Sequence, residues 1–269
     1  MKNFLRTLQI TNTLSIDIAV GAVVSSLFFA RIYTTTSGII QFIVLGLVVL
    51  IIYNIDHLLD VKAIAKHKAS TRHEFYRKHY QAILVVVTLL TCATGIASMS
   101  LPLSMLKAGV YLILLVILYL LFQARLKFAK EFVGALIYVA GVLVPSVESV
   151  SLFVVGNTVI IFFVTVLINL ILFSWFDFEQ DSATKQYSIM TSIGKINGEY
   201  VLIGLFIFQM VFITFAFVNS SNRVELLILI AMNLMLVMIY IFRYTFIKED
   251  RYRIVGDSIF YFPALIFFF

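Results

Sequence analysis

Two pairs of aspartates carry the chemistry this sequence offers. Asp56-His57-Leu58-Leu59-Asp60 closes the apolar run from Ile39 to Tyr53, and Asp177-Phe178-Glu179-Gln180-Asp181 closes the run from Val159 to Trp175. Charge beside a long apolar run is costly, so carboxylates placed there twice point to a functional site. An i, i+4 spacing puts both carboxylates of a pair on one helix face, where they can share a hard cation. Two such pairs facing each other would form a cage of oxygen ligands for Mg²⁺, which in turn favours a diphosphate.

The elements that must position these acids are set by composition. The 269 residues are 62% hydrophobic and only 13% charged, with a mean hydropathy of +1.04. Soluble domains run near a quarter charged, so the chain is expected to be an all-α polytopic membrane protein. With 3 Pro and 12 Gly and apolar runs too long for barrel strands, helices are the remaining way to satisfy the backbone in lipid. The apolar runs place nine spans, at 13–32, 38–55, 82–103, 107–124, 132–152, 156–176, 200–219, 224–243 and 254–269. The last is interrupted by Asp257 and Pro263. The N-terminal MKNFLRTLQI reads as a cytoplasmic lead-in, and Cys92 as a lone thiol that excludes an intrachain disulfide.

Basic residues orient the spans. With the N-terminus inside, 17 of the 20 Lys and Arg fall on the cytoplasmic side, leaving only Arg31, Lys107 and Arg223 outside. The +6 balance is thereby assigned to cytoplasmic loops, not to a nucleic-acid partner. Both acid pairs then lie at the cytoplasmic face of a multi-pass protein expected in the cell membrane. The pairs end the second and sixth spans, which divides a single transmembrane domain, 1–269, into two four-helix halves, about 1–152 and 156–243, with a ninth helix added.

Two Asp-rich motifs at the cytoplasmic ends of the second and sixth of nine helices resemble the UbiA superfamily of intramembrane prenyltransferases. Asp56 and Asp60 match the last two acids of that family's NDxxDxxxD motif, while Ile52 and Tyr53 stand where its Asn-Asp would be. Asp177 and Asp181 match its DxxxD motif, and Ser188-Ile189-Met190-Thr191 stands where its Ser/Thr-containing stretch would be. The resemblance implies nine helices around a large central cavity, Mg²⁺-bound diphosphate at the cytoplasmic mouth, and transfer or rearrangement of a prenyl chain. Asp56, Asp60, Asp177 and Asp181 would hold the metal and serve as the catalytic acids. Arg72, Lys127, Lys130 and Lys185 are the expected donors to the diphosphate.

Three functions remain open. The leading one is a prenyltransferase that moves a prenyl group from its diphosphate to an aromatic or lipidic acceptor. A terpene cyclase would use the same cage without an acceptor. A cation transporter or channel is the reading from another class, although its acids would sit at one mouth, away from the midplane. His57, His67, His73 and His79 show no compact ligand spacing and read as a solvated loop. Asp17 reads equally as a cavity-facing group or a helix start, and Glu148 as interfacial.

Overall fold

The computed structural model describes residues 9–35, 37–63, 71–146, 156–219 and 223–269. The lead-in 1–8, Lys66, His67, Lys68 and Glu148 lie outside the described residues. Every described element is a helix. In chain order these are α1 (Ile16–Ile32), α2 (Ile39–Ala63), α3 (Thr71–Lys78), α4 (Tyr80–Ser98), α5 (Leu103–Leu126), α6 (Lys130–Leu143) and α7 (Asn157–Phe176). They are followed by α8 (Phe178–Thr184), α9 (Ile189–Ile193), α10 (Lys195–Asn219), α11 (Arg223–Ile241), α12 (Arg243–Phe246) and α13 (Arg251–Ser258). A 3₁₀ segment, Ile259–Phe268, ends the chain.

Seven segments are long and apolar enough to cross a membrane: Ile39–Lys62, Tyr80–Ser98, Leu103–Gln123, Lys127–Ser146, Asn157–Phe176, Lys195–Asn219 and Arg223–Ile241. They are not equally enclosed. In α7, 61% of the apolar window is buried inside the protein, against 11% in α5. The central helix is therefore α7, with α6, α10 and α11 packed around it. On the other side, α1 packs on α2, on α6 and on the 3₁₀ segment, which in turn lies against α11. A second, smaller core joins α2 to α3 and α4 through Ile51, Leu58, Tyr76 and Ile83.

Buried polar side chains pin the central helices to one another. Gln209 Nε2 on α10 and Asn233 Nδ2 on α11 donate to Thr165 Oγ1 on α7 at 3.1 and 2.9 Å. All three residues are buried. Such bonds between helices in lipid contribute about 0.6–2 kcal/mol each. Gly256 lets α13 approach α7 closely, because a Cβ there would lie 2.5 Å from the Phe173 ring.

A cavity of about 250 Å³ lies between α2, α5 and α6. Leu45, Val48 and Ile52 line it from α2, Leu106 and Val116 from α5, and Pro145 bounds it beside α6. Ile52 is one turn before Asp56 and Val116 two turns before Gln123, so the apolar space ends just beneath the first acid pair.

Candidate functional site

The helix ends that meet at the acid end of the bundle are α2, α5, α6 and α7, with the short helices α3, α8, α9 and α13 laid across them. The first pair sits in an unbroken helix. Asp56 and Asp60 lie near the end of the 25-residue α2, and together with His57 they bring one ligand atom each within 4.8 Å of one another. Asp56 Oδ1 accepts a hydrogen bond from Gln123 Nε2 of α5 at 3.0 Å.

The second pair straddles a break. Asp177 ends α7 and precedes the seven-residue α8, which carries Asp181 and stops at Lys185, whose φ is 58°. The two acids fare differently. Asp177 Oδ2 is 2.5 Å from Arg253 Nη2, and the Tyr252 hydroxyl donates to Oδ1. Both oxygens are thereby engaged by α13, which departs from the expected four-acid cage. Asp181 is bonded instead by the Ser188 hydroxyl, which also caps α9. Burial and the neighbouring Asp177 charge push the Asp181 carboxyl up to about 7, against the pull of Lys130 and Arg253.

The second motif lies within electrostatic reach of the first: the Asp181 charge acts on Asp60, and Lys130 acts on both. Lys130 and Arg72, two of the four expected phosphate donors, face the acids. Lys127 and Lys185 are exposed at helix ends. The basic residue that sequence reasoning missed is Arg253. A signal was present: Arg253 and Asp257 are spaced i, i+4 at the head of the last apolar run, the same spacing that singled out the acid pairs.

Around this centre lies a buried polar network. Asn12 Nδ2 donates to Asp17 Oδ2 at 2.6 Å and to Asp257 Oδ2 at 2.9 Å, joining the two ends of the chain. Arg72 Nη2 donates to Asn12 Oδ1 at 2.9 Å. Arg72 Nη1 and Ser15 Oγ lie 3.4 and 3.3 Å from His57 Nε2. Asp17 therefore belongs to a helix start that is itself buried. His57 and His73 are buried as well, which overturns their reading as solvated loop residues, while His79 is exposed. His73 is held neutral by burial and by the Arg72 and Arg253 charges, which lower its pKa. Glu131 at the start of α6 accepts from Ser174 Oγ at 2.7 Å and from the Ile189 amide at 3.0 Å, tying α6, α7 and α9 together.

The same side chains can be matched to the needs of a hard divalent cation. Asp56 and Asp60 are carboxylates with oxygen to spare, their ligand atoms within 4.8 Å of one another. Hard cations take oxygen ligands, so this pair fits, while Asp181 stands outside that close group. Asp177 does not fit while Arg253 and Tyr252 hold it. His57 Nε2 already faces the Arg72 guanidinium, whose charge repels a cation at that nitrogen. No family model, curated protein or solved structure matches the chain.

Proposed function

We propose that this chain is a Mg²⁺-dependent intramembrane prenyltransferase of the UbiA type, acting on a prenyl diphosphate and an aromatic or lipidic acceptor. The observation that supports this reading is the Asp56–Asp60 carboxylate pair, whose ligand atoms lie within 4.8 Å of one another above an apolar cavity, with the Asp181 charge and the Lys130 and Arg72 cations near enough to act on it. Nine crossings follow if α1 and the chain end are counted. At about 2.0 Å per residue the 3₁₀ segment covers roughly 20 Å, and α13 adds roughly 12 Å at about 1.5 Å per residue. Together they match a hydrocarbon core of about 30 Å. The positive-inside rule supports an orientation with the acid end on the cytoplasmic side, and we propose the cell membrane as its place.

In this reading Asp56 and Asp60, with Asp181 nearby, would hold Mg²⁺, which would supply charge neutralisation for a diphosphate leaving group. Lys130 and Arg72 donate to phosphate oxygens as charged donors. Asp177 and Tyr252 fix the direction of the Arg253 guanidinium, so that it meets the leaving group without reorganising. The apolar walls at Val48, Ile52 and Val116 take the hydrocarbon chain and keep water from capturing the allylic cation. Tyr119, near Asp56 and Asp60, places an aromatic ring at that boundary.

The experiment is turnover of farnesyl or geranylgeranyl diphosphate by the purified chain, with Mg²⁺ and with or without an aromatic or lipidic acceptor. Diphosphate release that requires both Mg²⁺ and acceptor is expected. Release without any acceptor would assign cyclisation instead, and no consumption at any chain length would overturn the reading.

A further inference from the structure

At the acid end of the bundle, on the face formed by α7, α10 and α11, two cations share a single indole. Lys195 Nζ lies 4.8 Å from the centre of the Trp175 ring and Arg243 Cζ lies 5.5 Å from it. Phe178 backs Lys195 at 5.3 Å, and Tyr240 backs Arg243 at 5.1 Å. The carboxylates nearby do little to neutralise them. Glu179 is 3.9 Å from Lys195 Nζ, but its side chain is 84% exposed. Glu199 Oε1 takes the Tyr240 hydroxyl at 2.5 Å. Like charges gathered on one ring repel, and an anion placed between them converts that repulsion into charge-assisted hydrogen bonds.

The surface running away from these cations is apolar and exposed. On α10, Ile196, Tyr200, Ile203 and Ile207 form a ridge at helical spacing, and on α11 Met238 and Ile241 form another. A phosphate set against hydrocarbon is the chemistry of a phospholipid.

We propose that Trp175, Lys195 and Arg243 bind the phosphodiester of an anionic phospholipid, whose acyl chains lie along the α10 and α11 ridges. Basic pockets between membrane helices take lipid head groups in this way. The site is independent of the acid centre and of the prenyl-transfer reading.

Trp175 is the only tryptophan in the chain, so its emission reports directly on the site. The full chain is placed in phosphatidylcholine nanodiscs containing a minor fraction of brominated phosphatidylglycerol or, for comparison, brominated phosphatidylcholine. Brominated phosphatidylglycerol is expected to quench the emission at lower mole fraction. Lys195→Gln and Arg243→Gln should each reduce that preference about fivefold, and the double variant should abolish it. Arg243→Lys keeps the charge and should retain most of it. Equal quenching by the two lipids overturns the proposal, as does a double variant with unchanged preference or an Arg243→Lys as impaired as Arg243→Gln. Restoration of emission by millimolar inorganic phosphate would assign a free-anion pocket instead.

Discussion

The two acid motifs share a spacing and differ in almost everything else. Asp56 and Asp60 stand on a continuous helix, and among the described residues the Gln123 amide of another helix donates a hydrogen bond to Asp56. Asp177 and Asp181 stand on two helices separated by a break, and Asp177 is already paired with a partly buried cation. The same four-residue interval therefore produces an open pair of oxygens in one place and a preset Arg–Asp unit in the other. Spacing fixes which face a side chain occupies. What that side chain then does depends on what the rest of the chain brings to it.

That contrast predicts unequal losses, the largest at the open acids. Asp60→Asn keeps the shape and removes a charge from the proposed metal shell, so turnover should fall at least a hundredfold, equivalent to several kcal/mol. Asp60→Ala and Asp181→Ala combined should be little worse than either alone, because each collapses the same clamp. Multiplied losses would place the two acids in separate sites.

Next in size is the Arg253–Asp177 pair. The side chains are 24% and 15% exposed, so removing one partner should destabilise by about 2–3 kcal/mol, below the 3–5 kcal/mol of a fully enclosed pair. Arg253→Gln and Asp177→Asn should each lower the melting temperature. The double variant should recover part of the loss, because neither charge is then left alone. A double variant as unstable as the sum of the singles would mean that the pair does not act as a unit.

Much of the fold was readable because its physics is local. Long apolar runs with few Gly and Pro have only helices open to them, and α2, α4, α5, α7, α10 and α11 fall where hydropathy put them. The terminal run was harder. Pro263 and Asp257 obscure it, and its 3₁₀ geometry gains length that an α-helical count misses. The site was half legible. Acid spacing is a local signal, so Asp56, Asp60 and Asp181 stood out. The partners Arg253, Tyr252, Gln123 and Asn12 reach the site across tens to hundreds of residues, and no periodicity records that. Backbone strain was equally hidden. Ser15, Thr34, Lys127, Lys185, Glu249 and Asp250 all have positive φ, a conformation that favours glycine, yet none is glycine. Strain of this kind concentrates at functional sites.

A smaller effect reads Asp181 by pH. Burial and Asp177 raise the Asp181 carboxyl to about 7 from an ordinary value of 3.8. Ionising it in the metal-free fold is therefore unfavourable, and its contribution to stability declines as pH rises from about 4 to about 7. A bound cation reverses the penalty, since the ligand must be deprotonated. Mg²⁺ should accordingly raise the melting temperature more at pH 8 than at pH 5.5, and Asp181→Asn should flatten that difference. A shift by Mg²⁺ that is independent of pH in the unaltered protein would detach Asp181 from the metal.

The smallest effect tests the open pair itself. Gln123 donates a hydrogen bond from its neutral amide to the Asp56 carboxylate, worth about 1.5 kcal/mol net. Its use is orientation: it occupies one oxygen of Asp56 and leaves the other directed by the helix. Gln123→Leu removes the donor at similar volume, so the affinity for Mg²⁺ should fall only about fivefold, with kcat following at low metal and recovering when metal is saturating. Gln123→Glu is the sharper variant. It puts a carboxylate where the amide was, against Asp56, and the two oxygens repel unless a cation joins them. Metal-free stability should then drop while affinity for Mg²⁺ rises. If Gln123→Glu weakened Mg²⁺ binding as Gln123→Leu does, the oxygens of Asp56 would not face a cation, and the first motif would be a helix end with no metal to hold.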